Sequence, residues 1–297
     1  MRKRAYAPVA LFIIFIIGIF GIYILLDHGI LGAKAITDID LVQRVNDPVK
    51  VHFIDVGQGD AILLQVHDKT VLIDAGPAAN AQRVVGYLKS YGIERLDYIF
   101  LSHIHEDHMG GMAEVIRNFE VGSFYTTNKS TTTRNYENMM TELAKKGLEV
   151  KTAKAGLELT FEDDITLSLL SPNADVYVNP NNYSPVMRLS YLSSAFLFTG
   201  DAEVPVENEV LRRGLNISAD VFKAAHHGST TSNSLPFLEK VKPQYVVVTS
   251  EKGNDFSLPN ESILQAFADL NATILKTEDM GNIVFSSNGK EVRLLNH

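Results

Sequence analysis

The sequence predicts an α/β protein behind a single apolar N-terminal span. Three observations carry this. Short apolar runs at 49–56, 61–66, 70–73 and 98–101 are interleaved with segments of helical spacing at 82–91 and 112–119. The runs at 70–73 and 194–198 end on aspartates, Asp74 directly and Asp201 after Thr199-Gly200. The run at 98–101 leads into His103, His105, Asp107 and His108, after which Gly110-Gly111 opens a helix. Open α/β sheets place their sites at such carboxyl ends of strands.

At 297 residues the chain is long enough for one large domain or two small ones. It has no cysteine, which excludes disulfides and a thiol nucleophile. Arg2-Lys3-Arg4 precedes an apolar run of 18 residues, 9–26. That length suits a membrane-spanning helix, and the positive flank stays in the cytoplasm, which puts everything after residue 27 outside. The expected organisation is a cytoplasmic tip and membrane anchor over 1–27, a linker over 28–48 and a globular domain over 49–297. Ala33-Lys34-Ala35 has the small-x-small form of a cleavage site, so secretion after cleavage near Ala35 is the alternative. Four basic residues and one acidic residue lie in 1–35, which leaves 36–297 with a net charge of −11. A dedicated nucleic-acid binder normally presents a basic surface. Two divalent cations at a site would offset four of these charges locally.

Gly29, Gly32 and Pro48 punctuate the linker. Val49, Val51 and Phe53 alternate in the first strand, Gly57-Gln58-Gly59-Asp60 makes a tight turn, and Asp68-Lys69 suits the hairpin between 61–66 and 70–73. In the helix at 82–91, Val84, Val85 and Leu88 share a face and Gly92 ends it. The Ser/Thr/Asn-rich stretch 128–135 reads as a loop, 136–146 as a helix, and 157–170 as two strands joined by Glu162-Asp163-Asp164. Beyond the segment Asn181-Asn182-Tyr183-Ser184-Pro185, a helix is expected over 203–212. A strand over 219–225 then ends on His226-His227-Gly228-Ser229. A strand at 245–249, a helix at 263–270 and strands at 274–276 and 282–285 complete the pattern.

Imidazole nitrogens and carboxylate oxygens are the usual ligands of zinc and related ions. His103 and His105 alternate, so both can point the same way from an extended loop. Asp107 and His108 lie on the next bend and can serve a second ion about 3.5–4 Å from the first, as in two-metal hydrolases. Three of the chain's nine histidines fall in this window, which argues against a chance polar loop. A closed structural zinc site would ordinarily use cysteine.

His-x-His-x-Asp-His after an apolar strand resembles the second motif of the metallo-β-lactamase superfamily. The resemblance implies a four-layer αβ/βα sandwich with a binuclear site between its sheets, and makes 49–297 a hydrolase domain. Asp74-Ala75-Gly76 matches the first motif, an aspartate that holds loops near the metals. Asp201 matches the fourth, whose carboxylate bridges both ions. One of His226 and His227 is the fifth-motif ligand. His227 is the first choice, with His226 donating to a substrate phosphate, and the residues alone leave the order open. The implied metal set is His103, His105, Asp107, His108, Asp201 and His227, and the implied catalytic set is Asp107, Asp201 and His226. Asp55-Val56-Gly57-Gln58-Gly59-Asp60-Ala61 narrows the resemblance to the hydrolase domain of ComEC-type competence proteins and their stand-alone relatives. Its glycines bring Gln58 and Asp60 close to a ligand. Asn182, Ser184, Ser229 and Asn254 complete the expected substrate-contacting set.

The sequence departs from the family pattern twice. There is no third-motif histidine between His108 and Asp201, and Leu258 stands where the ComEC-type Asn-x-Tyr-x-His-Pro segment has its histidine. The expectation is a metal-dependent phosphodiesterase or nuclease-like hydrolase with two divalent ions, zinc first and manganese second. It would act on DNA or an envelope phosphodiester outside the membrane. The departures motivate one alternative, a non-catalytic or weakly active binding component of a DNA-uptake or envelope system. A β-lactamase-type hydrolase is the other.

Overall fold

Two sheets organise the described part of the chain, residues 47–295 of the computed structural model. The expected span at 9–26 and the cleavage site at Ala35 lie outside the described residues. Among the described residues no helix is long and apolar enough to cross a membrane. In chain order the strands are β1 (Val49–Phe53), β2 (Ile62–Val66), β3 (Lys69–Ile73), β4 (Arg95–Phe100), β5 (Glu120–Thr126), β6 (Val150–Thr152), β7 (Glu158–Thr160) and β8 (Thr166–Leu169). They continue as β9 (Met187–Tyr191), β10 (Ser194–Phe198), β11 (Val221–Lys223), β12 (Tyr245–Val248), β13 (Thr273–Lys276), β14 (Ile283–Ser287) and β15 (Val292–Leu294). One sheet has the order β15-β14-β1-β2-β3-β4-β5-β6 and the other β13-β12-β11-β10-β9-β8-β7. The helices are α1 (Ala81–Ser90), α2 (Glu106–Met109), α3 (Met112–Asn118), α4 (Arg134–Lys145), α5 (Val204–Arg212), α6 (Leu235–Val241), α7 (Glu261–Asp269) and α8 (Thr277–Met280).

The period-two pleat sends alternate side chains into different cores. Val49, Val51 and Phe53 of β1 meet Phe196 and Phe198 of β10 between the sheets. Leu63 and Leu72 face the other way, onto Val84 and Leu88 of α1 and Val115 and Ile116 of α3. On the far side Leu197 and Val246 pack against Val206 of α5, Phe237 of α6 and Phe267 of α7. The layers therefore run helix, sheet, sheet, helix. β3 through β6 are mutually parallel, and so are β10 through β13.

β1 stops at Phe53 rather than running to Val56, because the chain must turn at Gly57 (φ 71°) and Gly59 (φ 138°). β5, β6, β9, β15 and α6 were not apparent from periodicity. β6 is three residues long and wholly exposed, so it carries no apolar alternation to read.

Candidate metal centre

Six loops at the carboxyl ends of strands build the site. In the first sheet, Asp74 follows β3 in a left-handed conformation (φ 59°) and is fully buried. Its carboxylate accepts from the Ser102 backbone N–H (2.7 Å), the Ser102 hydroxyl (2.7 Å) and His108 Nδ1 (2.9 Å). The histidine-rich loop is also stitched to its neighbours by backbone bonds, from the Asp60 N–H to the Asp107 carbonyl (3.1 Å) and from the Ala75 N–H to the His108 carbonyl (2.9 Å). Gly59 makes the first of these possible, since a Cβ there would lie 2.2 Å from the Asp107 carbonyl oxygen.

In the second sheet, Asp201 follows β10 through Gly200. His226 and His227 follow β11 with φ of 49° and 52°, two successive non-glycine residues in the left-handed region. Such backbone costs roughly 1 kcal/mol or more per residue and persists only where surrounding contacts over-determine it. Here buried Asn233 supplies those contacts. It accepts from the Ala225 N–H (3.0 Å) and donates to the carbonyls of Ala225 (2.9 Å) and Ser229 (3.1 Å). The His226 N–H donates to the Gly200 carbonyl (3.0 Å), which ties the two loops together.

The two halves meet at Asp201. Its Oδ1 lies 3.3 Å from His108 Nε2 and 3.5 Å from His227 Nε2, and Asp107 Oδ2 lies 3.2 Å from His227 Nε2. Its Oδ2 lies 3.6 Å from His103 Nε2, which is 3.0 Å from His105 Nδ1. Asp107, His108, Asp201 and His227 thus form one donor group, and His103, His105 and Asp201 a second, each with its ligand atoms within 4.8 Å of one another. Three of these buried atoms, His108 Nε2, His227 Nε2 and Asp201 Oδ1, have no hydrogen-bond partner. Buried polar atoms are rarely left so. Meanwhile His108 Nδ1 is held by Asp74 and His227 Nδ1 donates to the Thr249 carbonyl (2.8 Å). Fixing one ring nitrogen and leaving the other bare is the usual arrangement of a metal-ligating histidine. The donors present fit divalent cations.

The electrostatics agree. Burial opposes the charged form of His108, but Asp201, Asp107 and Asp74 outweigh it and hold its pKa well above the ordinary value. Burial would raise Asp201, yet His108, His227 and His103 drive it well below the usual carboxylate range. Asp107 is lowered too, His108 and His227 overcoming its desolvation. Burial dominates at His103, whose neighbour His108 lowers it further.

A cleft of about 330 Å³ opens onto these groups and is lined by Gln58, Asp107, His226, His227, Phe256 and Leu258 among others. His226 is partly exposed, with Nε2 3.7 Å from Asp201 Oδ2 and Nδ1 3.1 Å from the Thr231 hydroxyl. Burial lowers its pKa below the ordinary histidine value, against the opposing pull of Asp201. Five other residues expected near substrate are placed differently. Ser184 is fully buried behind His103 Nδ1 (3.3 Å) and accepts from the Asp201 N–H (3.2 Å). Asn182 is buried and exchanges hydrogen bonds with Glu203. Ser229 bonds the Thr231 hydroxyl (3.1 Å), and Asn254 braces its own loop through Phe256, Leu258 and Glu251. Asp60 is buried beneath the centre, against Lys223 (2.6 Å) and the Thr249 hydroxyl (2.5 Å).

Lys223, Thr249 and Asn233 escaped the sequence reading. The one signal for Lys223 was a lone lysine between Val221-Phe222 and Ala224-Ala225 in an otherwise apolar strand.

Comparison with known proteins accords with this geometry. The sequence profile of the metallo-beta-lactamase superfamily matches residues 54–249. The chain is 27% identical over 254 residues to ComE operon protein 3 of Bacillus subtilis, covering 80% of this chain and 33% of that protein. It is 29% identical over 233 residues to competence protein ComA of Neisseria gonorrhoeae (78% and 31%). It is also 26% identical over 249 residues to recombination protein 2 of Haemophilus influenzae (82% and 29%). The chain thus spans about a third of the length of these relatives. Among solved structures, the metallo-beta-lactamase fold protein YhfI of Bacillus subtilis superposes with a TM-score of 0.53 at 16% identity, over 82% of this chain and 100% of that one. Igni18, a metallo hydrolase of Ignicoccus hospitalis, gives 0.53 at 17% (80% and 99%). At such identities these structures show a common fold. The chain belongs to the metallo-β-lactamase superfamily of metal-dependent hydrolases.

Proposed function

We propose that this chain is a binuclear metallo-phosphodiesterase of the ComEC type, with zinc, or manganese in its place, held by the two donor groups around Asp201. The observation that carries the reading is the shared carboxylate: each oxygen of Asp201 faces a different set of imidazoles. His103 and His105 would hold one ion, and Asp107, His108 and His227 the other. When bound, such ions supply Lewis-acid stabilisation of charge on phosphoryl oxygens and acidify a water molecule. The chain's own contribution is orientation. Asp74 and the Thr249 carbonyl fix the rings of His108 and His227. With Nδ1 3.1 Å from the Thr231 hydroxyl, His226 would present Nε2–H to the cleft and donate to a phosphoryl or leaving-group oxygen. Phe256 and Leu258 give that wall an apolar face.

The substrate reading, DNA or an envelope phosphodiester polymer, is supported by similarity to proteins named for competence and recombination. Placement outside the membrane rests on the N-terminal pattern alone. The missing third-motif histidine and Leu258 favour one rival, a binding component with little or no turnover. Hydrolysis of bis-p-nitrophenyl phosphate, abolished by chelation and restored by zinc or manganese, with nitrocefin left intact, is the expected outcome. A purified chain that binds well under one ion and cleaves no phosphodiester supports the rival.

A further inference from the structure

Lys223 has no place in the reading above, yet it lies directly beneath the centre. It is fully buried, its ammonium 2.6 Å from Asp60 Oδ2, 3.3 Å from the Gly200 carbonyl and 4.0 Å from Asp201 Oδ1. A buried ammonium is costly unless it is paired and hydrogen-bonded. Its partner Asp60, also buried, lies 3.7 Å from both His108 Nδ1 and His227 Nδ1. Among the described residues the other ion pairs of Asp60, Asp107 and Asp201 go to histidines, so Lys223 is the one lysine or arginine paired with this cluster of carboxylates. The pair also crosses the molecule. Asp60 belongs to the loop between β1 and β2 in one sheet, and Lys223 ends β11 in the other.

We propose that the Lys223–Asp60 pair is an internal charge regulator of the metal centre. Asp60 raises cation affinity through the two histidines it faces, and Lys223 lowers it through Asp201. Because the charges cancel, the centre binds its ions without the surplus negative charge that would hold them too tightly for Lewis-acid chemistry. Both residues act through the ligands and are positioning residues. A purely mechanical tie between the sheets would behave differently, since cutting it from either end would weaken metal binding.

The test rests on the metal-binding reading and is a double-mutant cycle on the full chain. It comprises Asp60→Asn, Lys223→Met and the double variant, with Zn²⁺ dissociation constants from competition against a chromophoric chelator. One net charge at this depth is worth about tenfold or more in affinity even at an effective dielectric of 20. Asp60→Asn should therefore weaken Zn²⁺ binding about tenfold or more, and Lys223→Met should tighten it by a similar factor. The double variant, with no net change in charge, should return to within about threefold of the parent. Lys223→Arg keeps the charge and should keep the affinity. If Lys223→Met does not fold, recovery of affinity from Asp60→Asn to the double variant decides. Weakening in every variant, or Asp60→Asn at parental affinity, overturns the proposal while the metal reading stands. Failure of the parent chain to bind Zn²⁺ at all overturns both.

Discussion

Gly59→Ala tests the stitching that aims Asp107 at the centre. Gly59 sits at φ 138°, which L side chains rarely adopt, and an added Cβ would lie 2.2 Å from the Asp107 carbonyl oxygen. The neighbour is backbone, so the loop itself must move by about 1 Å to reach an ordinary contact. Backbone strain of roughly 1–3 kcal/mol adds to about 1 kcal/mol for losing the bond from the Asp60 N–H to the Asp107 carbonyl. The expected destabilisation is about 2–4 kcal/mol, a large share of the roughly 5–15 kcal/mol that holds a typical domain folded. Urea unfolding of the metal-free chain measures it as a fall in midpoint at unchanged slope. A misplacement of about 1 Å at a reacting centre also costs on the order of 10²-fold in turnover. Gly86→Ala is the control. Gly86 lies on the exposed face of α1 with nothing within 4 Å of an added Cβ, so alanine should stabilise by about 0.5–1 kcal/mol. Gly59→Ala unfolding at the parental midpoint with parental metal affinity would refute the reasoning.

Asp201→Asn removes the charge that both donor groups share, so zinc content after dialysis should fall for both ions together, with affinity lost by about 100-fold or more. His226→Ala should leave metal content unchanged and lower kcat by about 10²-fold, the scale of a single proton donor; loss of zinc in this variant would instead make His226 a ligand. Metal affinity should rise with pH, because the raised pKa of His108 means a proton must leave before a cation can bind, and chelator competition between pH 5 and 8 reads this directly. Away from the centre, buried His52 accepts from the Tyr87 hydroxyl and donates to Gln65, and burial lowers its pKa from 6.5 to about 4. A depressed histidine contributes fully above its unfolded pKa. Roughly 3 kcal/mol should therefore be lost as pH falls from 6.5 toward 4, and His52→Gln should flatten that slope of unfolding free energy.

The sequence was most legible where chemistry and periodicity coincide. Short apolar runs mark β1 to β4 and β10, whose pleats face two cores at once. Asp201 and the two histidine segments read as ligands because few other arrangements concentrate those residue types. Short or polar elements such as β6 left no such trace. Nor could position distinguish residues that face the cleft from residues that brace it. Gln58 and Ser184 look alike as polar loop residues, yet one lines the opening and the other is sealed behind His103.

The local sequence by itself determined which groups can ligate a cation and which strand each follows, since side-chain chemistry and backbone periodicity are properties of short stretches. Only the tertiary structure decided that His103 and His227, far apart in the chain, share the oxygens of Asp201, and that Lys223 lies under Asp60 rather than in water. Those pairings depend on how two sheets stack, and burial and Coulomb energy are set by distances that the order of residues does not contain.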